Sequence, residues 1–216
     1  MKKLTTSFTS GFTLIEIIVT VGILVLISSV VIFNYSSFNS NLSASAVTQK
    51  IAVAIRQAQT YGLSVKQSGN SGDFNTPYGI YFTLDQPTAY YIFADKNKNG
   101  KYDVGDDCGG VNTECVEKGA MIRDASLGYF CSVNTATPPT EVCPVSNIHS
   151  AVVLFARPNP DAIIYTYDSL GNCSFGTDSS GKCNLLKSVK MAITSTSGAI
   201  SKVSVSETGQ ISITNQ

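Results

Sequence analysis

The sequence predicts an α+β protein, a long N-terminal helix packed on an antiparallel β-sheet or sandwich, and three observations carry that prediction. An apolar stretch runs from Gly11 to Phe33 with one charged residue in it, Glu16. Helical periodicity continues behind it, and no proline occurs before Pro77. Beyond that proline, short runs rich in tyrosine, isoleucine, valine and phenylalanine are separated by turn residues.

The first element is suited to a membrane. As a helix, Phe12 to Phe33 spans about 33 Å, enough to cross the hydrocarbon core of a bilayer. An ordinary secretory signal has a basic start, a shorter apolar core and a small-residue cleavage site after that core. Here the polar leader MKKLTTSFTSG comes first, and no such site follows promptly. A carboxylate in hydrocarbon costs about 3 kcal/mol, so Glu16 requires a partner. In a simple signal-anchor it would snorkel or stay neutral near one end of the helix.

The helix continues beyond the apolar stretch. Leu42, Ala46, Ile51, Ala54, Ile55, Ala58 and Tyr61 recur at helical spacing, which extends one helix from about Leu14 to Tyr61. Gly22 and the serine- and asparagine-rich patch at 34–45 are its weak points. The expected division is 1–11 leader, 12–62 helix (12–33 transmembrane, 34–62 amphipathic) and 63–216 exported β-rich domain. Residues 64–76 read as a linker. Seven strands follow: Tyr78–Leu84, Ala89–Ala94, Ala151–Ala156, Ala162–Tyr167, Ser188–Thr194, Ile200–Val205 and Ile211–Ile213, the last three joined by hairpin turns.

Composition narrows the function. Fifteen basic and fifteen acidic residues give zero net charge, hence no general attraction to nucleic acid or anionic lipid. Lys182, Lys187, Lys190 and Lys202 are spread across turns and strands, and the terminus GQISITNQ carries no base, so no nucleic-acid partner is expected. The single histidine, His149, has no nucleophile motif beside it and reads as a surface or strand-end residue. Motifs for nucleophilic, phosphate-binding or zinc chemistry are missing from the sequence, so no enzyme is expected.

Six cysteines, Cys108, Cys115, Cys131, Cys143, Cys173 and Cys183, fall in the β-rich part and read as disulfides of an oxidising compartment. Their spacing suggests three local loops, although six cysteines allow fifteen pairings. A zinc site and free buried thiols are the rival readings, zinc being opposed by the lack of a C-x-x-C pair and by the single histidine.

After the second strand comes DKNKNGKYDVGDD, which sets Asp95, Asn97, Asn99, Gly100, Asp103 and Asp106 at the offsets of a calcium loop. Alternate oxygen-bearing side chains on a turning backbone converge on one centre, Lys101 supplies its carbonyl, and Gly100 permits the sharp turn. A structural calcium is expected. The alternative is a solvated hairpin tip, because Asn-Gly is a strong turn signal.

Gly11, Phe12, Thr13, Leu14, Ile15 and Glu16 read GFTLIE, which resembles the class III signal of type IV prepilins and pseudopilins. The resemblance implies cleavage between Gly11 and Phe12 by a prepilin peptidase, methylation of the new terminus at Phe12, and pairing of Glu16 with the terminal ammonium of a neighbouring subunit. It implies the pilin-like form of the α+β fold, and a non-catalytic subunit of a type IV pilus or type II secretion pseudopilus. Such a subunit starts in the bacterial inner membrane with its globular domain outside the cytoplasm. The strand YGIYF, the Asp/Asn-rich loop and the C-terminal hairpins ending in GQISI are similar to the GspH/FimT branch of minor pseudopilins and minor pilins. A single-pass, calcium-stabilised exported binding module is the alternative, and a DNA-binding minor pilin a further one.

Overall fold

The computed structural model describes residues 11–64, 75–103, 108, 110, 113–121, 124–133, 141–179 and 181–215. Among them lie one helix, α1 (Leu14–Leu63), and ten strands. These are β1 (Tyr78–Thr83), β2 (Ala89–Ala94), β3 (Cys115–Ala120), β4 (Ala125–Val133), β5 (Glu141–Val142), β6 (Ser150–Phe155), β7 (Ala162–Tyr167), β8 (Ser188–Ser195), β9 (Ile200–Ser206) and β10 (Ile211–Asn215). The chain divides into two compact units, Met1–Asn39 and Ser40–Gln216, and α1 contributes to both.

In the first unit every Leu, Ile, Val and Phe from Phe12 to Phe33 is exposed. That part of α1 is long and apolar enough to cross a membrane. Water would oppose so much bare apolar surface, whereas a bilayer core would not.

In the second unit α1 sorts its residues by face. Of the expected stripe, Ile51, Ala54, Ile55 and Ala58 are buried, Ala46 and Tyr61 are half-buried, and Leu42 is exposed. Val47 is buried in addition, while Lys50, Val53, Arg56 and Thr60 stay exposed. The expected weak patch at 34–45 remains helical, and Ser40, Ser43 and Ala44 within it are buried. Tertiary packing here overrides the modest helix propensity of serine and asparagine. Most of the expected 64–76 linker lies outside the described residues.

The strands form two five-stranded sheets with every neighbour antiparallel, ordered β3-β2-β1-β6-β7 and β10-β9-β8-β4-β5. All seven expected strands occur, and β3, β4 and β5 must be added. β3, with the sequence CVEKGA, is a charged edge strand with a single strong strand former, Val116, so its pairing with β2 leaves little trace in composition. In β4 the pattern is broken at Gly128, where the register shifts between Leu127 and Tyr129. Two-residue β5 is too short to read.

Ile51 and Ile55 share one buried cluster with Ile80, Phe82 and Phe155 of the first sheet and Phe130, Met191 and Val203 of the second. Each such burial contributes about 1.5–3 kcal/mol, so the helix half and both sheets hold one another. Near its end α1 comes very close to β6. A Cβ added at Gly62 would lie 2.4 Å from the Phe155 carbonyl oxygen.

A second cluster covers the outer face of the first sheet, uniting Tyr91, Phe93, Val152, Leu154 and Tyr167 with loop residues Tyr102 and Cys183. Tyr102 supplies the cover, its ring centroid 5.1 Å from Tyr81, 5.2 Å from Tyr91 and 5.3 Å from Phe93.

Candidate functional site

Two places gather the residues singled out by sequence: the start of α1 and the connection from β2 to β3. Gly11 and Phe12 are exposed and precede the helix, and residues 1–10 lie outside the described residues. Because α1 begins at Leu14, Thr13 is its N-cap and Glu16 its third residue. The Glu16 N–H donates to Thr13 Oγ1 at 3.4 Å, and the Thr13 N–H donates to Glu16 Oε2 at 3.5 Å. This reciprocal exchange is a capping box, and TLIE spells its T-x-x-E signature, a signal missed by reading Glu16 as a charge alone. The carboxylate also sits at the positive end of the helix dipole. Glu16 therefore has a partner within its own chain.

The β2–β3 connection folds around its acids. Asp95 is buried; its Oδ1 accepts the Asn99 N–H and its Oδ2 the Gly100 N–H, each at 3.0 Å. Asn97 Oδ1 accepts the Asn99 N–H at 3.1 Å, and Asn99 Oδ1 the Lys101 N–H at 2.7 Å, two successive Asx turns. Gly100 sits at φ +77°, the left-handed conformation that favours glycine. The side-chain amides of Asn97 and Asn99 both donate to Asp103 Oδ2, at 2.6 and 3.2 Å. Asp95, Asn97, Asn99 and Asp103 are thus brought together. The Lys101 side chain is engaged elsewhere, its Nζ donating to the Gly171 carbonyl at 3.1 Å and lying 5.0 Å from the Tyr167 ring centroid. Asp106, expected to close the loop, lies outside the described residues.

Sequence reasoning missed Glu114. It is buried, its Oε1 accepting the Lys96 N–H at 3.1 Å and its Oε2 the Asp103 N–H at 3.0 Å. Its backbone carbonyl takes the Ala94 N–H at 2.8 Å, so β2–β3 pairing and the neighbouring Cys108–Cys115 disulfide set its place. Without β3, nothing in the sequence brings Glu114 to the loop.

Burial pushes the Asp95 carboxyl above the ordinary range; N–H donors from Gly100, Asn99 and Lys98 pull it back, and the Asp103 charge adds to the rise. Burial likewise raises Glu114, opposed by the Asp103 and Lys96 N–H groups and reinforced by the Asp103 and Asp95 charges. Carboxylates with amide oxygens, and no thiolate or imidazole, are donors of the kind a hard divalent cation takes. Both oxygens of Asp95 and of Glu114 nevertheless accept backbone N–H groups, and the carboxylates of Asp95, Asp103 and Glu114 do not lie within ligating distance of one common centre.

The cysteines pair as Cys108–Cys115, Cys131–Cys143 and Cys173–Cys183. Glu141 stands close to Cys131 and Cys143, but the disulfide removes both thiolates as metal ligands, and Glu141 pairs with Lys190 at 2.5 Å. His149 precedes β6, and its Nε2 lies 2.9 Å from Asp85 Oδ1 in the β1–β2 turn. Lys182 and Lys187 stand in the β7–β8 connection, Lys190 on β8 and Lys202 on β9. Compared with family models, with curated proteins and with solved structures, the chain matches none of them.

Proposed function

We propose that the chain is a prepilin whose mature form is a non-catalytic minor subunit of a type IV pilus or type II secretion pseudopilus. The observation that carries the reading is GFTLIE set at the head of an exposed apolar helix, with the acid in the first turn after the expected cut. A prepilin peptidase would cut between Gly11 and Phe12 and methylate Phe12. Glu16 would then pair with the terminal ammonium of a neighbouring pilin-like subunit, an opposite charge strengthened by low dielectric. The subunit would begin in the bacterial inner membrane with Ser40–Gln216 outside the cytoplasm, consistent with its three disulfides. The GspH/FimT branch is the proposed affiliation within the family. Calcium is the proposed structural ion, with Asp95, Asn97, Asn99, Asp103 and the Lys101 carbonyl as ligands, Glu114 as an added carboxylate, and Asp106 retained from sequence.

Mass spectrometry of the mature N-terminus tests this. A methylated Phe12 supports it, and an intact leader overturns it. One observation favours a second reading, a signal-anchored exported binding module: the capping box satisfies Glu16 without any neighbour. Glu16→Gln separates the two, because glutamine keeps the box and loses the charge. Under the pilin reading Glu16→Gln fails to join assemblies as Glu16→Ala does; normal incorporation of Glu16→Gln leaves capping as the residue's whole role.

A further inference from the structure

A cleft of about 380 Å3 opens on the outer face of the first sheet, beside its β7 edge, and four cationic side chains line it. Lys98 and Lys101 come from the β2–β3 connection, Arg157 from the β6–β7 turn, and Lys182 from the loop closed by Cys173–Cys183. Three separate segments deliver these cations, a local gathering of positive side chains in a chain of zero net charge. Among the described residues, the one carboxylate in the lining, Asp95, is buried with both oxygens taken by backbone N–H groups. Asp178, in the same loop as Lys182, accepts the Lys182 N–H at 3.0 Å.

The floor narrows the ligand. Leu154, Ala156 and Ile163 make it aliphatic. Two tyrosines also reach it, but both rings are engaged. Lys101 lies over Tyr167, and a Cβ added at Gly100 would meet the Tyr165 ring at 2.7 Å. A sugar ring gains hold by stacking on an open aromatic face, which the engaged tyrosines do not favour. A peptide needs only cations for an acidic side chain and an apolar patch for an aliphatic one, and the cleft offers both.

We infer that this cleft binds a short acidic peptide, with one carboxylate held between Arg157 and Lys182 and an adjacent aliphatic side chain on the Leu154 and Ile163 floor. Arginine's planar fork gives the carboxylate a two-point seat, and Lys182 adds charge from the opposing loop. The inference stands independently of the prepilin reading.

The test is fluorescence anisotropy of the full-length protein in detergent micelles, with a labelled acetyl-Glu-Val-Glu-Leu peptide as probe. Saturable binding that weakens with salt is expected, reduced about tenfold by Lys182→Glu or by Arg157→Gln and unchanged by Lys202→Glu on β9. Lys182 is exposed, so Lys182→Glu leaves the fold intact and decides the matter even if Arg157→Gln unfolds. The inference is overturned if no saturable binding is seen, if Lys182→Glu binds as wild type, or if an oligogalacturonate probe binds more tightly than the peptide.

Discussion

Gly62→Ala sets two opposing effects against each other, and the structure decides which wins. Alanine is the better helix former by about 1 kcal/mol in a helix interior, which alone would stabilise α1. Gly62 is next to last in the helix, so only part of that gain applies. Against it, the new Cβ would stand 2.4 Å from the Phe155 carbonyl oxygen and 2.8 Å from Phe155 Cβ, about 1 Å short of ordinary contact. β6 cannot retreat, being paired along its whole length with β1 on one side and β7 on the other. The helix end must lift instead, loosening Ile55 and Ala58, both fully buried. Overpacking of this kind costs about 1–3 kcal/mol, leaving a net loss of about 1–2 kcal/mol. For a unit of this size the melting temperature should fall by about 3–6 °C. The chain has no tryptophan, so the melt is followed by tyrosine near-ultraviolet circular dichroism. Gly22→Ala, where the added Cβ meets nothing within 4 Å, is the control and should not lower the melt. An unchanged or raised melting temperature for Gly62→Ala would refute the close approach of helix and strand.

Three further outcomes are expected. Calcium at about a hundred times its dissociation constant should add about 2.7 kcal/mol and raise the melting temperature by about 5–10 °C, an effect that a chelator reverses and Glu114→Gln abolishes. Identical melts with calcium and with chelator would instead favour a plain hairpin tip. Burial, then the Glu117 charge, pushes the Tyr90 phenol above its ordinary 10.0, so its stabilisation is whole below pH 10 and drains away as pH climbs through the raised value. Melts across that range should show the loss in wild type and a flatter profile in Tyr90→Phe. Replacing Cys173 and Cys183 together by serine frees a short loop and should cost about 2–3 kcal/mol in chemical denaturation, and no loss would show that the loop is held without its disulfide.

Much of the architecture was legible because period and composition agreed. The buried stripe of α1 from Ile51 to Ala58 and the aliphatic or aromatic runs of β1, β2 and β6 to β10 advertise themselves, whereas Leu42, at the same spacing, is exposed. What stayed hidden depends on pairing at a distance. β3 is a strand because β2 lies beside it, and Glu114 joins the loop because β3 exists. Asp95, Asn97, Asn99 and Asp103, singled out by their offsets, meet through hydrogen bonds in one loop, since Asx turns are local chemistry. Glu16 was visible as a charge but not as a cap. The cationic cleft was invisible, because its four side chains are scattered from Lys98 to Lys182 and meet only through the fold.

The loop-covered outer face of the first sheet changes how this protein can vary over generations. Every residue of β2 and of β6 is buried, whichever way its side chain points, whereas β9 alternates between half-buried and buried. A saturation map of substitutions should therefore show a two-residue rhythm of tolerance along β9 and none along β2 or β6. Tyr102, though it belongs to no regular element, should rank with the strands it shelters. Drift is thus steered to exposed positions such as those of β3 and of the loop around Asn97 to Asn99, while Asp95, Gly100, Tyr102 and Glu114, the buried points of the irregular connection, are inherited almost as strictly as the strands.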